Sequence, residues 1–333
     1  MKSKIKLKHT SFLILVKDED FFSKKLVNHI NSQNVEAEFI IADGSRDKKK
    51  KIFDKLNTKK EYYYFGEDKN SQIFFLKTLK GIKKCSKRFI FFCDQDHLIN
   101  FKIIKKDEEF LLKNKDYSAV GGPTHFFTYI KNKIKVTKHE YGIYYFDFNS
   151  FFLKYCFNMV FRSHHYLQRK KNLKKVWNLI IEHKIKDARS AMFVQDLLTL
   201  IFGKIKYHNN TSVITWAGIK KRDTKKNKGH FLNKSHNTRY EWFKYFFTEH
   251  KNLIKKIIKE NKIFFNNLYV FKAYYFIFNI LKNIIKRIIG YRQLITFIRR
   301  FANRFINNDQ IKIFKQLKLD EIIKPEDLLR KKM

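Results

Sequence analysis

Short runs of large apolar residues alternate with helically spaced ones through the first third of the chain. FLILV (12–16) is continuously apolar, and FFSKKLVNHINSQN (21–34) then places Phe22, Leu26 and Ile30 at helical spacing. EFIIADGS (38–45) reads as a second strand ending in a turn, and EYYYF (61–65) as a third. SQIFFLKTLKGIKKC (71–85) returns to helical spacing through Ile73, Leu76, Leu79 and Ile82, and FIFFCDQD follows as a fourth strand. Strands that are continuously apolar are covered on both faces, and their alternation with helices predicts an α/β domain built on a parallel sheet.

The second third is less regular. DEEFLLKNKD reads as helix, YSAVGGP as a strand ending in a turn, and residues 126–161 as an aromatic-rich stretch of strands or a packed flap. A helix is expected over about 163–186 and another where Val194, Leu197, Leu198 and Ile201 recur; KYHNNTSVITWAG reads as one strand. Beyond about 240 the pattern becomes basic and one-sided. Thirteen Lys or Arg and a single acid, Glu260, lie between Lys251 and Arg304, with an apolar stripe through 277–289. Such helices either pack on the preceding domain or lie on an anionic membrane, and the aromatic stretch at 263–281 favours the membrane. The expected division is a catalytic domain over 1–235, in halves 10–125 and 126–235, and a basic helical region over 236–333.

Composition narrows the partners. Seventy-two Lys and Arg against 31 Asp and Glu give a formal charge of +41, which suits nucleic acid, phosphorylated small molecules or an anionic membrane. The same richness in Lys, with only 10 Gly and 2 Pro, also follows from AT-rich coding, so charge alone does not choose among them. The aromatics sit inside apolar runs and no nucleic-acid module is legible, which argues against nucleic acid. Cys85, Cys93 and Cys156 form no CxxC pair, consistent with a reducing compartment and with no zinc site. The first apolar run is five residues long, too short for a signal peptide, and no run approaches a membrane span. The expected location is cytoplasmic, at most peripheral on the inner membrane.

In an open parallel sheet, ligands bind outside the carboxyl ends of the strands. The first strand ends at Lys17-Asp18, the second at Asp43-Gly44-Ser45 and the fourth at Asp94-Gln95-Asp96, so three acidic ends converge on one crevice. Side chains alternate along a strand, so Asp94 and Asp96 can face one way while Gln95 turns aside. Two hard oxygen ligands so placed suit Mg²⁺ or Mn²⁺; the alternative is an ordinary solvated loop start.

The series FLILVKDED, IIADGSRD and FIFFCDQDHL resembles the nucleotide-binding half of GT-A glycosyltransferases, in particular the family 2 group of bacterial surface-polysaccharide enzymes. The resemblance covers about residues 10–125 well and 126–225 loosely. It implies a mostly parallel sheet flanked by helices. It also implies an inverting transfer of one sugar from a nucleotide-diphosphate donor to a lipid-linked or surface glycan, aided by Mg²⁺ or Mn²⁺. Asp43 would contact the base with Asp18 close by, Asp94 would lie near the ribose and metal, and Asp96 would be the principal metal ligand. Lys69, before the third helix, is the first basic candidate for the donor, ahead of Arg88 and Lys77.

The family takes its general base from a Glu-Asp pair at a helix start, and the match here is Gln195-Asp196, with Asp196 as the base. The family's Pro-Thr-x-Asn after the first strand and the processive Q-x-x-R-W are absent, the latter favouring single-sugar transfer. Nucleotidyltransferases also place acidic metal ligands on an α/β sheet, but they open with a glycine-rich loop, and FLILVKDED contains no glycine. His97, His164, His165, His230 and His236 could approach phosphate or metal, although no metal-ligand spacing supports a dedicated histidine site. Gly121-Gly122-Pro123 reads as a turn, which in the family borders the acceptor pocket.

Overall fold

The computed structural model describes residues 4–130, 133–138, 145–146, 163–216, 245–246 and 248–260. The first half alternates as expected: β1 (Ile5–Val16), α1 (Asp20–Ser32), β2 (Val35–Asp43), α2 (Lys50–Phe53), β3 (Lys60–Tyr64), α3 (Ser71–Lys84) and β4 (Phe89–Asp94). After it come β5 (His97–Ile99), α4 (Phe101–Lys113), β6 (Tyr117–Gly121), β7 (Thr124–Ile130), β8 (Lys133–Lys138) and β9 (Tyr145–Phe146). A 3-10 turn (Ser163–His165) leads to β10 (Leu167–Arg169), α5 (Lys170–Glu182), α6 (Ala188–Ile201), β11 (Lys204–Tyr207), β12 (Val213–Trp216) and α7 (Lys251–Glu260).

Eight strands form one sheet in the order β3-β2-β1-β4-β10-β6-β11-β9, and four form a smaller one, β5-β12-β7-β8. β3, β2, β1 and β4 are mutually parallel, and β11 runs parallel to β6; β10 is antiparallel to both its neighbours and β9 to β11. This is the α/β architecture expected from the sequence, a mostly parallel sheet between helices, consistent with the GT-A type.

Strand alternation divides the core into two layers. Leu13, Leu15, Ile40, Ile90 and Phe92 face Phe75, Leu79, Trp177 and Leu197 on one side. Phe12, Ile14, Phe39, Ile41, Phe91 and Cys93 face Leu26, Ile30, Phe101 and Ile104 on the other. The strands are buried on both faces, which is why they read as unbroken apolar runs.

Four expectations change. β1 starts at Ile5, because the polar Thr10 and Ser11 are buried on internal partners, Glu108 and Glu38. The helix expected over 163–186 begins only at Lys170; before it, Leu167–Arg169 enters the large sheet as a three-residue strand, too short to leave a period in the sequence. KYHNNTSVITWAG is two strands in different sheets. On α3, Leu76 is 41% exposed while Lys77 is buried, so the inward face is rotated from the one that apolar spacing suggested.

In the basic C-terminal region, Phe246, Leu253, Ile254 and Ile257 belong to the same core layer as Trp177 and Phe193, and Lys256 pairs with Glu182 of α5 at 2.8 Å. Up to Glu260, packing on the α/β domain is the alternative that holds. The stretch at 263–281, the stripe at 277–289, Cys156, His230 and His236 lie outside the described residues. Among the described residues, no helix is long and apolar enough to cross a membrane.

Candidate functional site

The turn Asp94-Gln95-Asp96 is where the chain leaves one sheet for the other. β4 ends on Asp94 opposite Leu15 of β1, and His97 opens β5 opposite Thr215 of β12. Gln95 continues the β1–β4 ladder with its side chain: Oε1 accepts the Lys17 N–H at 2.9 Å and Nε2 donates to the Lys17 carbonyl at 2.7 Å. With Gln95 turned inward to β1, the flanking carboxylates are left partly open, Asp94 at 39% and Asp96 at 31%.

Three imidazoles surround this pair. The Asp94 backbone N–H donates to His97 Nδ1 at 3.0 Å, and His97 Nε2 lies 3.6 Å from Asp94 Oδ2 and 3.9 Å from Asp96 Oδ1. His164 Nε2 lies 3.5 Å from Asp94 Oδ2, its ring stacked on Phe92 at 4.8 Å between centroids. His165 tilts against His97 at 5.0 Å. The Thr215 hydroxyl donates to Asp96 Oδ2 at 3.1 Å.

The surroundings split the two carboxyls. Burial pushes Asp94 up, but the imidazoles, His164 first, outweigh it and hold the group well below the usual carboxylate range. For Asp96, burial together with the Asp94 charge prevails over His97 and holds the carboxyl above its ordinary value. A cation beside the ionised Asp94 would also offset the burial and like-charge cost that holds Asp96 up. Donor atoms of Asp94, Asp96 and His97 lie within 4.8 Å of one another, and the two acids supply the hard oxygens that Mg²⁺ or Mn²⁺ prefers. The residues therefore fit the implied ion.

The ends of β1 and β2 form the adjacent wall. Asp18 has a left-handed backbone (φ 53°); its N–H donates to Ser45 Oγ and its Oδ1 accepts the Arg46 N–H, both at 2.8 Å. Asp43 is 0% exposed: Oδ1 accepts from Ser45 N–H and Oδ2 from Lys49 N–H, each at 2.8 Å, and the Tyr62 hydroxyl also donates to Oδ2. The direct base contact implied for Asp43 is thus closed to it in this conformation, because the carboxylate caps its own loop.

Lys69, the first basic candidate, is exposed, and its backbone N–H donates to Glu67 O at 2.9 Å. Arg88 stands at the opposite end of β4. Lys77 instead is buried, its ammonium donating to the Val16 carbonyl at 3.0 Å and to Asp68 Oδ2. Lys17 Nζ donates to the Asp68 carbonyl at 2.7 Å, and a Cβ on Gly44 would collide with the Asp68 carboxylate. The Asp68–Lys77 pair was missed from sequence; its signal was a lysine within the apolar face of α3.

Asp196 lies in the third turn of α6, not at a helix start as the resemblance implies; the N-cap is Asp187, which accepts from Ser190 N–H at 2.8 Å. Asp196 is 3% exposed, and its Oδ1 accepts from Ser163 N–H at 2.9 Å and Ser163 Oγ at 2.6 Å. It thereby holds the turn that brings His164 to Asp94, a connection that sequence reading did not foresee. Phe193 and Leu197 beside it are buried. Gly121 closes β6, and Gly122 packs so tightly on the Asn210 carbonyl that no side chain fits there.

No protein-family model matches the chain, and no curated protein matches it. Among solved structures it is similar to S. aureus TarS, at 13% identity and a TM-score of 0.41, over 62% of this chain and 36% of that one. It is also similar to S. aureus TarS 1-349 in complex with UDP (13%, TM-score 0.41, 62% and 60%) and in complex with UDP-GlcNAc (14%, TM-score 0.39, 62% and 58%). The chain thus spans 36% to 60% of the length of these structures.

Proposed function

We propose that the protein is a metal-dependent glycosyltransferase that moves a single sugar from a nucleotide-diphosphate donor to a glycan or lipid-linked acceptor. The observation that carries this reading is the Asp94/Asp96 pair. It is delivered to a sheet crossover, left partly open, and flanked by the crevice wall of Asp18 and Ser45. A Mg²⁺ or Mn²⁺ held there would neutralise charge on the departing diphosphate. The loop 44–49, held by Asp43, shapes the nucleoside side, and Lys69, exposed beside it, is the cation for the donor in this reading.

For inverting transfer, the acceptor oxygen bonds to the anomeric carbon, the bond from that carbon to the diphosphate breaks, and the hydroxyl proton passes to a base. Asp196 is the base in this reading, acting once acceptor binding uncovers it, since it is 3% exposed. The basic stretch beyond residue 260 would hold the enzyme at a membrane-bound acceptor.

The test is turnover of a panel of nucleotide sugars with Mn²⁺ or Mg²⁺. Asp96→Asn is expected to lower metal-dependent turnover by about 100-fold, the scale of one lost electrostatic group. Asp196→Asn, which keeps an acceptor for Ser163 N–H, should abolish transfer without unfolding the chain. Full metal-dependent turnover in Asp96→Asn would remove the central assignment.

A further inference from the structure

The two faces of the large sheet carry helices of different charge. Around α1, α2 and α4 acids interleave with lysines: Asp20 pairs with Lys49 and Asp54 with Lys50, each at 2.8 Å, and Glu109 with Lys105 at 3.6 Å. On the other face, α3 packs against α5 through Phe75 and Trp177, 5.8 Å between ring centroids, and α7 joins α5 through Lys256 and Glu182. Glu182 is the single acid in the sequences of α3 and α5, and Lys256 takes it. Lys80, Lys83 and Lys84 of α3 and Lys171, Lys174 and Lys175 of α5 stand exposed on this layer, without an ion pair among the described residues. Coding bias spreads lysine over the whole surface and does not explain why one layer lacks acids.

The same layer exposes apolar surface. Leu76 is 41% exposed on α3, one turn before Lys80. Lys80 lies over the Phe65 ring at 5.9 Å and Lys84 over Tyr63 at 4.7 Å, while Tyr63 and Phe65 stack on each other. Rings covered in this way offer no open platform for bases, which argues against nucleic acid. Long lysine stems laid over apolar groups, with the ammonium outward, suit anionic headgroups above an acyl boundary. α3 starts at the carboxyl edge of the sheet, just past Tyr64, which pairs with Asp43, and Leu76 lies about 8 Å along it. Beyond α7 the sequence carries nine Lys or Arg and no Asp or Glu from Asn261 to Arg304, so the charge of this layer continues into the following chain.

We propose that the layer of α3, α5 and α7 is a docking surface for an anionic lipid bilayer, with its lysines at the headgroups and Leu76 in the acyl boundary. This rests on the membrane part of the reading above and adds to it a contact made by the α/β domain itself. Held in this way, the acidic edge of the sheet opens beside the bilayer, where a lipid-linked acceptor lies.

The experiment floats the full chain with vesicles of phosphatidylcholine alone and of equal parts phosphatidylcholine and phosphatidylglycerol. Three sets of changes each remove three charges. They are Lys80→Gln, Lys83→Gln and Lys84→Gln on α3; Lys102→Gln, Lys106→Gln and Lys113→Gln on α4; and Arg299→Gln, Arg300→Gln and Arg304→Gln beyond α7. The wild type should float with the anionic vesicles only. The α3 set should lower partition by about tenfold or more, and the α4 set by less than about twofold. Leu76→Ser, with the charge intact, should lower it about threefold. Lys171→Gln, Lys174→Gln and Lys175→Gln serve as the second set if thermal melting shows the α3 set misfolded. Equal losses from the α3 and α4 sets overturn this surface, because net charge alone would then govern binding. Loss confined to the set beyond α7 overturns it too and leaves the reading of the basic stretch intact. No flotation of the folded wild type overturns both, while metal-dependent turnover, measured on the same protein without lipid, tests the catalytic reading separately. Wild type that binds a single-stranded DNA oligonucleotide and not the vesicles makes nucleic acid the occupant and overturns the proposal.

Discussion

The carboxyl edge of the large sheet carries acids on two neighbouring stretches that are used in opposite ways. At the ends of β1 and β2, Asp18 and Asp43 accept backbone N–H groups of the loop that follows, and Asp68 pairs with the buried Lys77. At the end of β4, the Asp94 and Asp96 carboxylates face imidazoles and a hydroxyl, with roughly a third of each side chain open. A strand-end acid closes a loop when backbone donors lie within reach, and it remains available to a ligand when the neighbouring residue takes up the backbone instead. Gln95 performs that service, since its Oε1 takes the Lys17 N–H that an aspartate could otherwise accept, while its Nε2 donates to the Lys17 C=O.

The largest effect expected on the closed side follows from Lys77. Burial pulls the Asp68 carboxyl up and the Lys77 ammonium down, and their mutual attraction opposes both shifts. Lys77→Met leaves Asp68 buried beside Gly44 without its counter-charge and should destabilise the fold by about 3–5 kcal/mol in urea unfolding. The double change Lys77→Met with Asp68→Leu should recover most of this, because a buried pair replaced whole by apolar groups is often neutral. A cost below about 1 kcal/mol for Lys77→Met would mean that the pair does not hold this side closed. Mn²⁺ affinity should barely move, since the two regions do different work.

His29 couples the two regions, because α1 packs on the closed side and Ile99 ends the strand that leaves the open one. Its Nε2 stands 2.9 Å from the Ile99 carbonyl oxygen and 3.1 Å from the Ile99 nitrogen. Burial, partly offset by the Ile99 contact, lowers its pKa to about 4. An unfolded histidine titrates near 6.5, so the fold prefers the neutral ring. Its contribution is complete above about pH 6.5 and is lost as pH falls toward about 4, by up to roughly 3 kcal/mol. His29→Gln should flatten this part of the stability–pH curve relative to wild type; equal slopes for the two proteins would show that His29 does not titrate on unfolding.

Much of this comparison could be read in the chain, and the remainder could not for physical reasons. Phe89–Cys93 announces a strand buried on both faces, and the acids after it mark its carboxyl end. Whether an acid there is open depends on which donors the next loop turns toward it, and local sequence does not encode that: Asp43 and Asp96 look alike until Ser45, Lys49 and Tyr62 are placed. The burial of Lys77, named only as a late donor candidate, is not legible because apolar spacing assigns the inward position to Leu76, one residue away. The approach of His164 is a long-range event, set by the Ser163–Asp196 contacts and by a three-residue strand with no periodicity of its own.

The smallest effect gives the finest test, because it separates two accounts of Gln95. If the residue were an unused ligand position, Gln95→Glu would add a third carboxylate and raise Mn²⁺ affinity about tenfold or more, which is about 1.4 kcal/mol. In the structure the side chain bridges to β1, and a glutamate there would still accept the Lys17 N–H but would set an anionic oxygen against the Lys17 carbonyl, where an N–H now donates at 2.7 Å. Losing that donor and leaving a carbonyl unpaired costs about 1–2 kcal/mol. The expected outcome is therefore a modest drop in unfolding free energy and a change in Mn²⁺ affinity below about threefold. A stable variant that binds Mn²⁺ much more tightly would show that the β1–β4 bridge is dispensable and that the open side is open for another reason.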